Sequence, residues 1–197
     1  MIKIAVLISG GGTNLQALID AQEAGIIKNG KIELVVSSNP SAFGLVRAEK
    51  ADIKTLTIEN GKNRELFCGQ LKQALISSEI GLVVLAGFML ILTESFVKSF
   101  ENRIINVHPS LIPSFCGAGH YGLRVHEKAL EYGVKVTGAT VHFVNEICDA
   151  GEIIMQKAVD VLPGDTPELL QKRVMEQAEW VILPQAVEKI CKEICYD

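Results

Sequence analysis

The chain has 197 residues, 48% of them hydrophobic and 21% charged, with a formal net charge of −4. That length suits one domain with a full apolar core, and the balance is that of a folded globular protein rather than a disordered one. The acidic balance excludes a diffuse basic field for nucleic acid or an anionic membrane, and the longest apolar stretches, Ile4–Ile8 and Leu82–Leu92, fall well short of the roughly 20 residues that span a bilayer.

Ile2–Ile8 reads as a buried strand, and Thr13–Ala24 as a helix whose Leu15, Leu18 and Ile19 form an apolar stripe. A second strand is predicted over Ile32–Val36, followed by a helix capped at Ser41 and running to about Ala51. Ile53–Ile58 is a third strand, and Asn63 opens a helix to about Ile76. Leu82–Ala86 is a fourth strand, Glu94–Phe100 a short helix and Arg103–Val107 a fifth strand. Strands alternating with helices imply parallel pairing, hence a doubly wound α/β fold of about seven strands with helices on both faces. Val136–Val144 and Ile153–Val161 are longer and suggest a hairpin or mixed pairing. A last helix starts at the Asp165-Thr166-Pro167-Glu168 cap and runs toward Ile194, with Pro184 expected to kink or split it. No repeat, linker or low-complexity stretch interrupts the chain. Residues 1–197 are therefore expected to form one domain, with halves of about 1–100 and 101–197.

Five cysteines, at 68, 116, 148, 191 and 195, are odd in number and irregularly spaced. The N-terminus enters a strand at once, without a signal peptide's basic and cleavage regions, so reduced thiols and a cytoplasmic location are expected. Cys191 and Cys195 could share one edge of a metal, but no second pair or histidine completes a zinc set, and no metal is expected.

The first strand runs into Ser9-Gly10-Gly11-Gly12-Thr13-Asn14-Leu15. A glycine-rich turn at the positive end of a helix is a natural phosphate cradle. It lacks the Gly-Lys-Ser/Thr ending of a triphosphate loop, and Leu15 stands where a dinucleotide fingerprint needs its third glycine. A terminal phosphate monoester is the favoured ligand, beside the plainer reading of a tight turn alone.

Asn106-Val107-His108-Pro109-Ser110-Leu111-Ile112-Pro113 follows at the fifth strand. Asn106 and His108 share one face, and Pro109 ends the ladder, so both stand at a strand's C-terminal edge, where open α/β sheets bind ligands. An amide donor beside an imidazole suits the tetrahedral intermediate of acyl transfer. Asp149, in the loop between the two long strands, would hold the imidazolium of His108 by Coulomb attraction if the two meet; capping its own loop is its plainer role. His142 alternates with Val141 and Phe143 and reads as structural.

With these elements in place, the sequence resembles the phosphoribosylglycinamide formyltransferases, folate-dependent enzymes of purine synthesis. The resemblance spans essentially the whole chain and rests on Ser9–Gln16, Leu85-Ala86-Gly87-Phe88-Met89, Asn106–Pro113 and the strand-loop ending at Asp149-Ala150-Gly151. It implies formyl transfer from 10-formyltetrahydrofolate, as co-substrate, to the glycinamide amine, with Asn106, His108 and Asp149 catalytic and Gly12, Thr13, Asn14 and Leu15 holding the substrate phosphate. It further implies a pterin pocket lined by Met89, Leu90, Ile91 and Leu92 and by Asn145, Glu146, Ile147, Cys148 and Asp149, with Arg64 on the folate side. For the acid that meets the glycinamide amine, counting back from Pro184 gives Glu179; counting forward from Arg173 does not, so Glu176 stays a candidate. The partners implied are small molecules, with no nucleic acid or membrane and self-association no stronger than a weak homodimer.

The chain departs from the family pattern in four places. Cys148 replaces an aliphatic residue, Leu90 replaces an arginine of some relatives, the Ser114–Arg124 loop is long, and the late helix is one residue longer between Arg173 and Trp180. Four other readings compete. A transfer-RNA formyltransferase needs a further basic domain, and a formyl-folate deformylase usually carries an N-terminal regulatory domain. A cysteine hydrolase would use Cys116 or Cys148 with His108, although neither thiol follows a helix-opening elbow. A phosphosugar sensor need not keep Asn106, His108 and Asp149 together.

Overall fold

The structure, a computed structural model, describes residues 1–59, 61 and 63–196. Seven strands form one sheet: β1 (Ile2–Ile8), β2 (Gly30–Ser37), β3 (Lys54–Thr57), β4 (Leu82–Leu85), β5 (Ile104–His108), β6 (Val136–Phe143) and β7 (Ile153–Asp160), in the order β3-β2-β1-β4-β5-β6-β7. β1 to β5 pair in parallel. β6 then pairs antiparallel with β5, and β7 antiparallel with β6. The doubly wound α/β expectation is met, and the mixed second half is a hairpin added to a parallel sheet.

Helices α1 (Thr13–Glu23), α2 (Phe43–Lys50), α3 (Arg64–Ser77) and α4 (Glu94–Ser99) fill the first four crossovers. Helices on both faces bury the central strands completely: Ile4 through Ile8 are all 0% exposed. This is why β1 is a continuous apolar run rather than an alternating one. One core joins β1 to α1, α2 and the C-terminal helix through Ile4, Leu15, Leu18, Leu183 and Val187; a second joins β4 to α3 and α4 through Val83, Leu71 and Phe96. The first core takes residues from both ends of the chain, so the two halves share one interior.

Several local readings need correction. The cap of α2 is not Ser41: the helix starts at Phe43 after Ala42, whose side chain makes no capping bond. The polar turn is made one step earlier by Asn39, whose Oδ1 accepts from the Ser41 N–H at 2.9 Å. Asn63 and Thr166 do cap as expected, accepting from Leu66 and Leu169. The stretch after Ser114 is not loop throughout; α5 (Leu123–Tyr132) begins inside it and ends on Gly133 in the left-handed region. Pro184 does not split the last helix. Instead α6 (Pro167–Val174) passes through a π turn, Met175–Glu179, into α7 (Trp180–Tyr196), which contains Pro184.

Gly12 has a role in the fold that the ligand reading overlooked. Its φ is +70°, and a Cβ there would lie 2.6 Å from the Gly44 Cα, with Gly44 itself against Gly10 and Gly12. The α1 and α2 backbones meet at this point, so a side chain would push the helices apart. By contrast, a Cβ on Gly10 or Gly11 meets nothing within 4 Å. Gly12→Ala is therefore expected to destabilise the protein by roughly 2–4 kcal/mol, measured by urea unfolding, while Gly11→Ala leaves the midpoint nearly unchanged.

Candidate active site

The polar residues singled out in the sequence meet at the C-terminal edge of the sheet. In the antiparallel register Asn106 faces His142 and His108 faces Thr140. Four polar side chains on one sheet face follow from that pairing alone. Asp149 closes the group from the β6–β7 loop, its φ of 55° placing it in the left-handed region. Gly151 fixes that loop, since a Cβ there would sit 1.8 Å from the Phe143 carbonyl oxygen.

Asp149 lies between two imidazoles. Its Oδ2 is 3.6 Å from His108 Nδ1 and its Oδ1 3.7 Å from His142 Nε2. Its Oδ2 also accepts from the Gly117 N–H at 2.9 Å. His108 is 4% exposed and donates from Nε2 to the Phe115 carbonyl at 2.9 Å. Both nitrogens of His108 are thus turned to protein groups, and the half-buried Asn106 is the more open donor.

His142 is not the remote structural residue that its alternation with Val141 and Phe143 suggested. Its Nδ1 donates to the Phe143 carbonyl at 2.8 Å, which leaves the Nε2 lone pair to accept from Asn106 Nδ2 at 3.2 Å. Burial lowers the His142 pKa, outweighing the Phe143 carbonyl and Asp149, which raise it. A neutral imidazole with its proton on Nδ1 takes one Asn106 amide hydrogen and leaves the other free. The missed signal was the strand pairing: on an adjacent antiparallel strand, His142 falls opposite Asn106.

The glycine turn forms the second part. Its carbonyls point to α2: Gly10 accepts from the Gly44 N–H at 3.1 Å and Gly11 from Arg47 Nε at 2.9 Å. With the carbonyls so held, α1 opens on the N–H groups of Thr13, Asn14 and Leu15, an anion-binding end. Leu15 can offer only its backbone, because its side chain is wholly buried in the core. Ser9 Oγ accepts from the Met89 N–H at 3.0 Å and so ties this turn to the segment after β4.

The structure separates the two acidic candidates. Glu179 is buried at the turn, its Oε2 accepting from Asn14 Nδ2 at 2.7 Å. Asn14 Oδ1 beside it is buried without a partner among the described residues. Glu176 stands on the outer face, 3.8 Å from Lys172, its side chain 47% exposed. Burial pushes the Glu179 pKa up to about 7, against the lowering effect of the Asn14 bond.

On the other flank, Met89, Ile91 and Ile147 are exposed apolar side chains, while Leu90 and Leu92 pack partly against the second core. Phe67 of α3 stacks on Phe88, which brings the start of α3 to this segment. Arg64, at that start, is exposed and has no ion pair or side-chain hydrogen bond among the described residues. In the β6–β7 loop, Asn145 Oδ1 accepts from the Ile147 N–H, and Glu146 and Cys148 are exposed. Burial, then the charge of Asp149, raises the Cys148 pKa to about 11 and that of Cys116 in the same direction. Both thiols stay protonated at neutral pH, which opposes a cysteine nucleophile. Two surface grooves, of about 260 and 520 Å³, flank Arg47 on either side of α1, and neither is lined by His108. Among the described residues no cluster of three or more His, Cys, Asp or Glu could hold a metal ion, and no helix is long and apolar enough to cross a membrane.

A glycine turn at a helix N-terminus and an Asn–His–Asp cluster at the C-terminal end of β5 suit a transferase of the acyl type. The formyl transferase family model matches residues 2–187, and the chain belongs to that family. It is 42% identical over 190 residues to the phosphoribosylglycinamide formyltransferase of Haemophilus influenzae, covering 95% of this chain and 86% of the relative. It is 45% identical over 190 residues to the human trifunctional purine biosynthetic protein adenosine-3, covering 95% of this chain but only 18% of that much longer relative. In three dimensions it superposes on glycinamide ribonucleotide transformylase 1 of Symbiobacterium toebii with a TM-score of 0.91 at 42% identity, covering 98% of this chain and 89% of that structure.

A prediction about Glu179 follows from its environment. A carboxyl whose pKa rises from 4.5 to about 7 on folding binds its proton more tightly in the native state. Stability therefore falls as pH rises from near 4.5 through about 7. Glu179→Gln, which still accepts from Asn14, should remove that fall. Thermal unfolding of both proteins across this window checks it; parallel curves would contradict the buried, raised carboxyl.

Proposed function

We propose that the chain transfers the formyl group of 10-formyltetrahydrofolate to the amine of phosphoribosylglycinamide. The observation that carries this reading is the joint presence of Asn106, His108 and Asp149 with a separate helix N-terminus at Gly11–Leu15, which the Ser9–Met89 hydrogen bond ties to the segment after β4. Family membership and the relatives' names support the reaction class and a folate-type co-substrate. The acceptor and the residue roles rest on the geometry.

The phosphate is held by the N–H groups that open α1, and the ammonium or amine lies toward Glu179. The orphan Oδ1 of Asn14 accepts from a substrate hydroxyl or amine hydrogen. The pterin lies against Met89–Leu92 and Asn145–Asp149, with Arg64 facing the negative tail. The neutral amine, left once an ammonium has released a proton to solvent, attacks the formyl carbon; a C–N bond forms, the carbonyl π electrons move to oxygen, and the attacking nitrogen then gives up one further proton. Asn106, oriented by His142, donates its free amide hydrogen to that oxygen. His108 adds a donor once substrate replaces the Phe115 carbonyl, and Asp149 balances the imidazolium charge. Collapse restores the carbonyl and breaks the bond to folate N10, which takes up that further proton. The reaction occurs within a single unit, residues 1–197, in the cytoplasm.

An absorbance assay of folate deformylation tests the reading. Consumption of formyl-folate should require phosphoribosylglycinamide and yield the N-formyl product. An equal rate without the amine would identify a hydrolase instead. Gly11→Ala, which keeps every backbone N–H but adds a methyl group at the turn the phosphate approaches, should raise KM for the amine substrate roughly tenfold, with folate KM unchanged. Equal damage to both constants would refute the phosphate assignment.

A further inference from the structure

Behind His108 lies a polar knot that the chemistry above does not use. Thr140, on β6 directly opposite His108, is fully buried. Its Oγ1 donates to the Ser110 carbonyl at 2.7 Å and accepts from the Ile112 N–H at 3.1 Å and from Gln156 Nε2 at 3.0 Å. A hydroxyl has one hydrogen and two lone pairs, so every bonding capacity of this group is used. Gln156, its neighbour on β7, bonds the Ile112 carbonyl as well, at 3.0 Å. Ser110 Oγ in turn donates to the Ser114 carbonyl at 2.5 Å.

These bonds all end on the segment that leaves β5 after His108. From Ser114 the chain continues to Phe115, whose carbonyl takes the His108 Nε2 hydrogen, and to Gly117, whose N–H holds Asp149 Oδ2. The backbone of residues 110–114 is thus the base from which the His108 and Asp149 side chains are oriented. Removing the hydroxyl leaves the buried Ser110 carbonyl and the part-buried Ile112 N–H without this partner, and the Gln156 amide with the Ile112 carbonyl alone, so the segment must shift to find others.

We propose that Thr140, with Gln156, is a positioning residue for the formyl transfer: its hydroxyl fixes the 110–117 segment and through it the orientation of His108 and Asp149. This rests on the reading that His108 and Asp149 carry the reaction. Thr140 touches neither substrate, so substrate affinity should hardly change while turnover falls. Small errors in the placement of a reacting group cost turnover steeply, about 10²-fold for an ångström.

The test uses the full chain with steady-state formyl transfer and NMR of the histidine side chains. Thr140→Val, near in shape but without the hydroxyl, should lower kcat roughly 30–100-fold with both KM values within about twofold. Its kcat–pH profile and His108 resonances should differ from the parent. Thr140→Ser, which restores the hydroxyl, should recover kcat to within about threefold and return the parental resonances. Gln156→Ala, on the exposed edge strand, should give a smaller fall in kcat of the same kind and keeps the test alive if Thr140→Val does not fold. The proposal is overturned if a folded Thr140→Val keeps parental kcat and His108 resonances, or if Thr140→Ser is as impaired as Thr140→Val. With Thr140→Val unfolded, a Gln156→Ala protein with parental kcat and resonances overturns it as well. Asp149→Asn serves as control: if it keeps full activity, the catalytic reading fails, whereas an inactive Asp149→Asn beside an unaffected Thr140→Val rejects the positioning role alone.

Discussion

The antiparallel pairing of β6 with β5 is the constraint on which the site depends. In a parallel neighbour, the strand after β5 would start again from the far side of the sheet, and its C-terminal residues would run alongside those of β5. Antiparallel pairing instead brings Thr140 and His142, in the second half of β6, across from His108 and Asn106, and the loop that leaves β6 opposite Ile105 carries Asp149 back to both imidazoles. The switch in direction therefore delivers three consecutive features, a positioning hydroxyl, an orienting imidazole and a carboxylate, to the place where Asn106 and His108 already stand. The parallel half contributes a different element by the same edge rule: the β1–α1 turn, with its free N–H groups.

Burial then sets which of these groups carry charge. His142 and His126 are both almost sealed from solvent, and desolvation lowers both pKa values, that of His126 to about 4, with the nearby His108 adding to the effect. Of the histidines in that neighbourhood, His108 is the one with the Asp149 carboxylate 3.6 Å from Nδ1 and a carbonyl on Nε2. Desolvation, and then the same carboxylate, raises the pKa of the thiols beside it. Cys148 stands where an aliphatic residue would do, and its raised pKa makes it chemically close to one. A protonated thiol beside Asp149 gives no support to a cysteine nucleophile.

Much of this could be read from the sequence because the signals were local. Ile2–Ile8 announces a buried parallel strand by its unbroken apolar run, and Thr166-Pro167-Glu168 announces a helix start by its capping chemistry. Asn106 and His108 share a face by the two-residue period of a strand, whatever its neighbours do. The readings that failed were those decided by a partner distant in sequence. His142 belongs to the site because of the register with Asn106, which no window around His142 contains. Gly12 is glycine because Gly44 lies against it, and α5 was hidden because its apolar face is completed by α6 rather than by a long stripe of its own.

The choice between Glu176 and Glu179 turns on helix geometry. At about 100° per residue, an unbroken α-helix would place Glu179 on the side opposite Leu170, away from the core that Leu170 and Val174 enter. A turn closed by i→i+5 bonds holds one residue more. The π turn at Met175–Glu179 absorbs that residue, so Leu170 and Val174 before it and Ile182, Leu183 and Val187 after it all stay buried in one core. The apolar repeat carries the trace of this, since its spacing stretches by one position between Val174 and Ile182. Glu179 rides on the buried face of the second helix and reaches Asn14, while the surplus residue is taken up at the outward side that carries Glu176 and Gln177. Counting back from Pro184 meets only α-helical residues before Glu179, the acid at the glycine turn, whereas counting forward from Arg173 crosses the π turn. The extra residue thus lengthens the helix without moving the acid away from the glycine turn.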